Sequence, residues 1–174
     1  MADPNKLRQA LPHNAELILG DSAITLPQFL DRVSKESPIG FVSVDVDTYS
    51  STKKCLQVFT DRDPRKYLPM TMVYLGDIGC VGSSPWVGEL LAINEFNDEH
   101  KLRTISPETM LRSQRIFKAA GWIDQTFIMH PFDHEWRSLE NQDLKRRLED
   151  QTFRRGDVVD NPYLGIVSQP ADHS

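Results

Sequence analysis

Two aspartates one residue apart are the first side chains in this sequence that could carry out chemistry. Asp45 and Asp47 end the run Phe-Val-Ser-Val-Asp-Val-Asp, which starts at Phe41 and is followed by Thr-Tyr-Ser-Ser-Thr. Strand side chains alternate, so both carboxylates are expected on one side, at the sheet edge where α/β proteins bind ligands. Such oxygens suit a hard cation such as Mg²⁺. A structural alternative stays open, in which these polar residues only cap the next helix.

The rest of the sequence predicts the elements that position the aspartates. Apolar periodicity predicts strands at 15–19, 39–44, 71–75 and 122–129, and helices at 24–33, 51–59, 87–100 and 107–120. Alternating strands and helices favour a mostly parallel sheet flanked by helices, in the α/β class. The third predicted strand runs into Gly76 and Asp77, so another carboxylate follows a strand end.

Composition limits the partners. The 174 residues are 39% hydrophobic and 26% charged, with a net charge of -5, which fits one globular domain and argues against nucleic-acid and membrane-surface partners. Cys55 and Cys80 are too few for a disulfide framework, and no long apolar run starts the chain, so a cytoplasmic location is expected. We expect an α/β domain over residues 1–136, then a charged helix and a disordered tail over 137–174.

Several short motifs together resemble a known family. They are Gly20-Asp21 before Thr25-Leu26-Pro27, then Asp45-x-Asp47-x-Tyr49-x-Ser51-Thr52, then Asp77 after a strand, then Ile93-x-Glu95-Phe96 in a helix. This series resembles the macrocin O-methyltransferase group, class I methyltransferases that use S-adenosylmethionine to modify sugar hydroxyls. The resemblance covers about residues 15–100 and implies a partial Rossmann-like methyltransferase fold.

The resemblance also implies roles for individual residues. Asp45 and Asp77 would hold a divalent metal, expected to be Mg²⁺, and Asp47 would be the general base for the acceptor hydroxyl. Asp21, with Ser22, would lie near the cofactor's adenine. The implied partner is a small molecule with a sugar or other hydroxyl to be methylated.

Two features depart from the family pattern. The family carries adjacent aspartates where this chain has Gly76-Asp77, so one metal carboxylate is replaced. The sequence also contains no Gly-x-Gly motif and begins where the family's third strand begins. We therefore expect an incomplete cofactor site, weak binding of S-adenosylmethionine by this chain alone, and completion by a homo-oligomer or by another polypeptide.

Two hypotheses from other functional classes compete with the methyltransferase hypothesis. Haloacid dehalogenase-like phosphatases also place Asp-x-Asp at a strand end, with the first aspartate as nucleophile and the second as acid/base. Asp45 and Asp47 match that spacing, but Tyr49 stands where those enzymes usually have Thr or Val. The non-enzymatic alternative is a degenerate methyltransferase-like domain that acts as a binding module.

Overall fold

The elements of the fold are taken from a computed structural model that describes residues 3–80, 82–114 and 120–138. The strands in this part of the chain are β1 Ile39–Val44, β2 Tyr67–Leu75, β3 Arg103–Pro107 and β4 Thr126–Pro131. The α-helices are α1 Pro4–Ala10, α2 Ser22–Leu30, α3 Tyr49–Leu56, α4 Gly88–Glu99, α5 Thr109–Gln114 and α6 Glu135–Ser138. Short 3₁₀ helices cover Gln57–Phe59, Pro64–Lys66 and Gly121–Ile123.

The four strands form one mixed sheet in the order β1-β2-β4-β3. β1 and β2 pair in parallel, whereas β4 is antiparallel to both β2 and β3. The prediction of an α/β fold is confirmed, but the prediction of a mostly parallel sheet is wrong, because two of the three strand pairings are antiparallel. The physical reason is that β4, the last of the described strands in sequence, runs in the reverse direction between β2 and β3. Periodicity identifies a strand but carries no information about its direction.

Residues 15–19 do not form the strand that their apolar pattern predicts. They carry no regular secondary structure, and the side chains of Ile18 and Leu19 are exposed. A strand needs a neighbour to satisfy its backbone hydrogen bonds, and this segment pairs with no strand of the described sheet. The prediction of a strand at 15–19 is therefore wrong.

One hydrophobic core lies between the sheet and helices α2, α3 and α4. Alternate residues of the strands point into it, such as Val73 and Leu75 of β2 and Phe127 and Met129 of β4. The helices contribute the remaining buried side chains, which include Leu30, Leu56, Ala92, Ile93 and Phe96. Since β1, α3, β2 and α4 share this core, the loops that follow β1 and β2 are fixed at one end of the sheet.

The loop after β1 is kept short by the start of α3. Thr48 is the N-cap, its side chain accepts a hydrogen bond from the Ser51 amide, and its carbonyl accepts one from the buried Thr52 hydroxyl at 3.1 Å. Residues 45–47 therefore have little freedom between the strand and the helix.

At the other end of the chain, the first residues of the predicted charged helix form α6. The rest of that helix and the predicted tail, residues 139–174, lie outside the described residues. Within the described ranges, no helix is both long and apolar enough to cross a membrane.

Candidate functional site

The structure brings Asp45 next to the residue that precedes Asp77. The Gly76 amide donates a hydrogen bond to the Val44 carbonyl at 2.9 Å, which continues the β1–β2 pairing beyond the strands. A Cβ atom built on Gly76 would overlap Oδ1 of Asp45, so a side chain at position 76 would displace this carboxylate. The Asp45 carboxylate therefore rests against a glycine backbone, and Gly76 leaves the space that it occupies.

Asp47 lies beyond the end of β1, and so does Asp45, because the strand stops at Val44. The sequence pattern predicted that strand alternation sets the directions of both carboxylates. Because neither residue lies in the strand, alternation does not set them. Both side chains are exposed. Within the described residues, no hydrogen bond or ion pair holds Asp47, which leaves its carboxylate free to meet a ligand.

A third carboxylate near Asp45 and Asp77 was missed by the sequence analysis. Glu89, in the first turn of α4, is only 5% exposed, and its Oε2 accepts a hydrogen bond from the Asp77 amide at 3.0 Å. Its Oε1 is buried and has no hydrogen-bond partner in the described part of the chain. One sequence signal could have identified Glu89: it lies at the start of a helix that follows the glycine-containing loop.

The charges of this cluster act on Glu89. Burial raises the pKa of Glu89 to about 7, and the charges of Asp77 and Asp45 add to the increase. The backbone amides of Asp77 and Ile78 oppose it, because they stabilise the carboxylate. Among the described residues, no Lys or Arg forms an ion pair with Asp45, Asp77 or Glu89.

The geometry of the cluster is not that of a preformed metal centre. Within the described ranges, no group of three or more His, Cys, Asp or Glu side chains is arranged to hold a metal ion. Asp77 has one weak polar contact, from the Cys80 thiol at 3.9 Å, and Asp45 accepts no hydrogen bond in this part of the chain. The two aspartate side chains are therefore free to rotate toward a common ligand.

Other residues of the Asp-x-Asp-x-Tyr-x-Ser-Thr motif have structural contacts. The Tyr49 hydroxyl donates a hydrogen bond to Oε2 of Glu95 at 2.5 Å, and Lys53 donates to the same oxygen at 2.8 Å. The bond to Glu95 raises the pKa of Tyr49. Tyr49 of the motif thus joins α3 to α4, whereas Asp45 and Asp47 have no such structural role.

Asp21 and Ser22 lie at the start of α2. Asp21 is the N-cap: its Oδ1 accepts from the Ala23 amide at 2.9 Å, and its Oδ2 pairs with Lys54 of α3 at 3.1 Å. The Ala23 amide and then Lys54 lower the pKa of this carboxyl. Asp21 therefore has a complete structural role in capping α2 and linking it to α3.

A cleft opens between α2 and α3 beside these residues. Its volume is about 350 Å³, and it is lined by Ser22, Ala23, Leu26, Pro27, Leu30, Asp31, Lys54, Gln57, Thr60 and Asp61. An apolar wall with polar groups at its rim is the usual composition of a small-molecule site. Ser22 is thus at the surface of a cleft, while the Asp21 carboxylate is turned toward Lys54.

Comparisons with protein-family models, with curated proteins and with solved structures give no match for this chain. Its function is therefore inferred from the chemistry of its own residues.

Proposed function

We propose that this chain belongs to a methyltransferase-like domain that uses S-adenosylmethionine and a divalent cation to methylate a sugar or other hydroxyl. The observation that carries the proposal is the group of carboxylates at the ends of the parallel strands β1 and β2, which has no Lys or Arg partner among the described residues. Ligands of α/β proteins bind at this end of parallel strands.

The residues fit a divalent cation. Asp45 and Asp77 offer oxygen ligands of the kind that Mg²⁺ prefers, and the buried Oε1 of Glu89 lacks a hydrogen-bond partner in the described part of the chain. A cation bound there would orient an acceptor's hydroxyl and lower its pKa. Asp47 is exposed and unpaired within the described ranges, so its carboxylate is available to accept the hydroxyl proton.

The same residues fit S-adenosylmethionine only in part. Ser22 lines the cleft between α2 and α3, which has room for one end of a ligand, whereas Asp21 caps α2 next to it. The sequence contains no Gly-x-Gly turn to approach the methionine end. Each missing hydrogen bond costs about 1 to 3 kcal/mol, so a ligand of micromolar affinity is expected to bind at about millimolar concentration.

Equilibrium dialysis with labelled S-adenosylmethionine tests the proposal on the full chain. We expect binding near the millimolar range, weakened further by Ser22→Trp, which fills the cleft, and unchanged by Ser83→Trp in the loop after β2, since Ser83 does not line the cleft. Micromolar binding would contradict the incomplete cofactor site. No binding at about 10 mM would reject the methyltransferase in favour of a non-catalytic module.

An assay with an aryl phosphate distinguishes the phosphatase alternative from the methyltransferase proposal. Under the methyltransferase proposal, Mg²⁺-dependent hydrolysis of para-nitrophenyl phosphate is expected to be absent. Hydrolysis that Asp45→Asn abolishes would instead support a haloacid dehalogenase-like phosphatase with Asp45 as nucleophile.

A further inference from the structure

Glu89 is a buried carboxylate with one oxygen unused. Its Oε2 accepts from the Asp77 amide, whereas Oε1 is buried without a hydrogen-bond partner in the described part of the chain. A buried carboxyl oxygen without a hydrogen-bond partner is unfavourable. The N-terminus of α4 favours the charged form of Glu89 but provides no hydrogen bond to Oε1.

The acidic groups around Glu89 favour binding of a positive charge next to it. Asp77 is in direct contact through its amide, and the Asp45 carboxylate lies against Gly76, one residue earlier. Within the described residues, the ion pairs of the basic side chains are with other acidic groups, and none includes Asp45, Asp77 or Glu89. The charges of Asp77 and Asp45 oppose the ionisation of Glu89, and a divalent cation would remove that repulsion.

We propose that Glu89 is the third protein ligand of the cation at the ends of β1 and β2, with Oε1 as the donor atom. This inference rests on the cation of the proposed function and adds a residue to it. Glu89 supplies, from helix α4, the carboxylate that Gly76 does not supply from the loop. Mg²⁺ or Mn²⁺ would then have oxygen ligands from two strand ends and one helix.

The mobility of the three side chains is consistent with this arrangement. Glu89 is held in place by burial and by its bond to the Asp77 amide. Asp45 is exposed, Asp77 is partly buried in the loop after β2, and neither has a strong polar partner in the described residues. Binding therefore needs rotation of the two aspartates toward a fixed glutamate, which accounts for the absence of a preformed three-ligand group in this part of the chain.

The substitution Glu89→Gln tests whether Glu89 binds the cation or only accepts the hydrogen bond from the Asp77 amide. Glutamine keeps an oxygen that can accept from the Asp77 amide, so the loop contact is preserved while the charge is lost. Glu99→Gln makes the same chemical change at an exposed position of α4 and serves as the control. Circular dichroism without metal shows whether each variant is folded.

Titration calorimetry of the full chain with Mn²⁺ gives the test. We expect Glu89→Gln, like Asp45→Asn, to weaken Mn²⁺ binding at least about tenfold, which is about 1.4 kcal/mol. Glu99→Gln is expected to bind within about twofold of the unmodified chain. An unchanged affinity in Glu89→Gln together with a loss in Asp45→Asn would overturn the inference and leave the strand-end cation intact.

A measurement on the unmodified chain covers the case in which Glu89→Gln does not fold. Bound Mn²⁺ is expected to broaden the side-chain carboxyl carbon signals of Asp45, Asp77 and Glu89 in ¹³C NMR, and not that of Glu99. A sharp Glu89 signal at saturating Mn²⁺, or no Mn²⁺ binding at millimolar concentration, would reject Glu89 as a ligand. Mn²⁺ binding that depends on Glu89, without binding of S-adenosylmethionine, would support this inference and reject the proposed function.

Discussion

Arg103 is a buried side chain with several different partners. It is 7% exposed, its guanidinium donates to the carbonyls of Phe59 and Asp61, and it pairs with Asp133 at 2.9 Å. It also lies 5.0 Å from the centre of the Tyr67 ring. One side chain thus satisfies backbone groups after α3, a carboxylate after β4 and an aromatic face of β2.

Arg103→Ala is expected to lower the free energy of unfolding by about 3 to 5 kcal/mol, because it leaves Asp133 and two carbonyls without their partner. Urea denaturation measures the loss. Arg65→Ala is the control, since Arg65 pairs with Asp63 at 2.9 Å at the surface, where water replaces the lost partner. Equal losses in the two variants would contradict the structural role of Arg103.

The sequence predicts some of these residues and not others, for a physical reason. Asp45 and Asp77 were found because each directly follows an apolar strand, which is a local pattern. Glu89 and Arg103 were missed, because their roles depend on partners that are distant in sequence. Glu89 meets Asp77 across 12 residues and Arg103 meets Phe59 across 44.

At the scale of elements, the contact between α3 and α4 depends on a shared carboxylate. Glu95 of α4 accepts from both the hydroxyl of Tyr49 and the ammonium of Lys53, two residues of α3. The hydrogen bond to Glu95 raises the pKa of Lys53. The hydrogen bonds from Lys53 and Tyr49 lower the pKa of Glu95. This link holds the beginning of α3, and with it the loop of Asp45, against the helix that carries Glu89.

A double-mutant cycle with Tyr49→Phe and Glu95→Ala tests the link. Each single variant is expected to be less stable than the unmodified chain, and the double variant is expected to lose less than the sum, because the two side chains share one hydrogen bond. Urea denaturation supplies the four free energies of unfolding. The pair Tyr49→Phe and Asn97→Ala, on the same two helices without a shared bond, is expected to be additive. Additivity in the first cycle would remove the proposed link.

Elements with strong periodicity were predicted well, and the exceptions have specific causes. Helices α2, α3 and α4 and strands β1 and β2 lie close to their predicted positions. β3 was missed because Arg103–Pro107 contains one large apolar residue, Ile105, and begins with a buried arginine. The strand at 15–19 is predicted from its apolar pattern alone, but such a pattern does not supply a pairing partner.

At the scale of the whole molecule, the two edges of the sheet differ. On β3, the Ile105 amide and carbonyl are both bonded to the side-chain amide of Asn97, at 2.7 and 2.8 Å, and Pro107 has no amide hydrogen. On β1, the described residues include a neighbour on one side only, β2. Phe41 on this strand is 61% exposed. The β1 edge is therefore the one open to another strand.

We expect the chain to self-associate through β1, as a second copy supplies the missing neighbour. Phe41→Lys is expected to weaken the association about tenfold, because an edge lysine opposes pairing. Sedimentation equilibrium over a range of concentrations measures the effect. Ile24→Lys on α2 is the control, because Ile24 is equally exposed, at 63%, but lies on no strand. A chain that stays monomeric throughout, or equal effects of the two substitutions, would contradict pairing at β1.

The position of β4 has a consequence for synthesis of the protein. β4 is the last described strand in sequence, yet it lies between β2 and β3. Until residue 131 has left the ribosome, β2 lacks its second neighbour and β3 has no strand to pair with, although Asn97 can already hold one edge of β3. The nascent chain therefore exposes two additional strand edges for the time that residues 108–131 take to emerge, and this interval is when it most needs protection by chaperones.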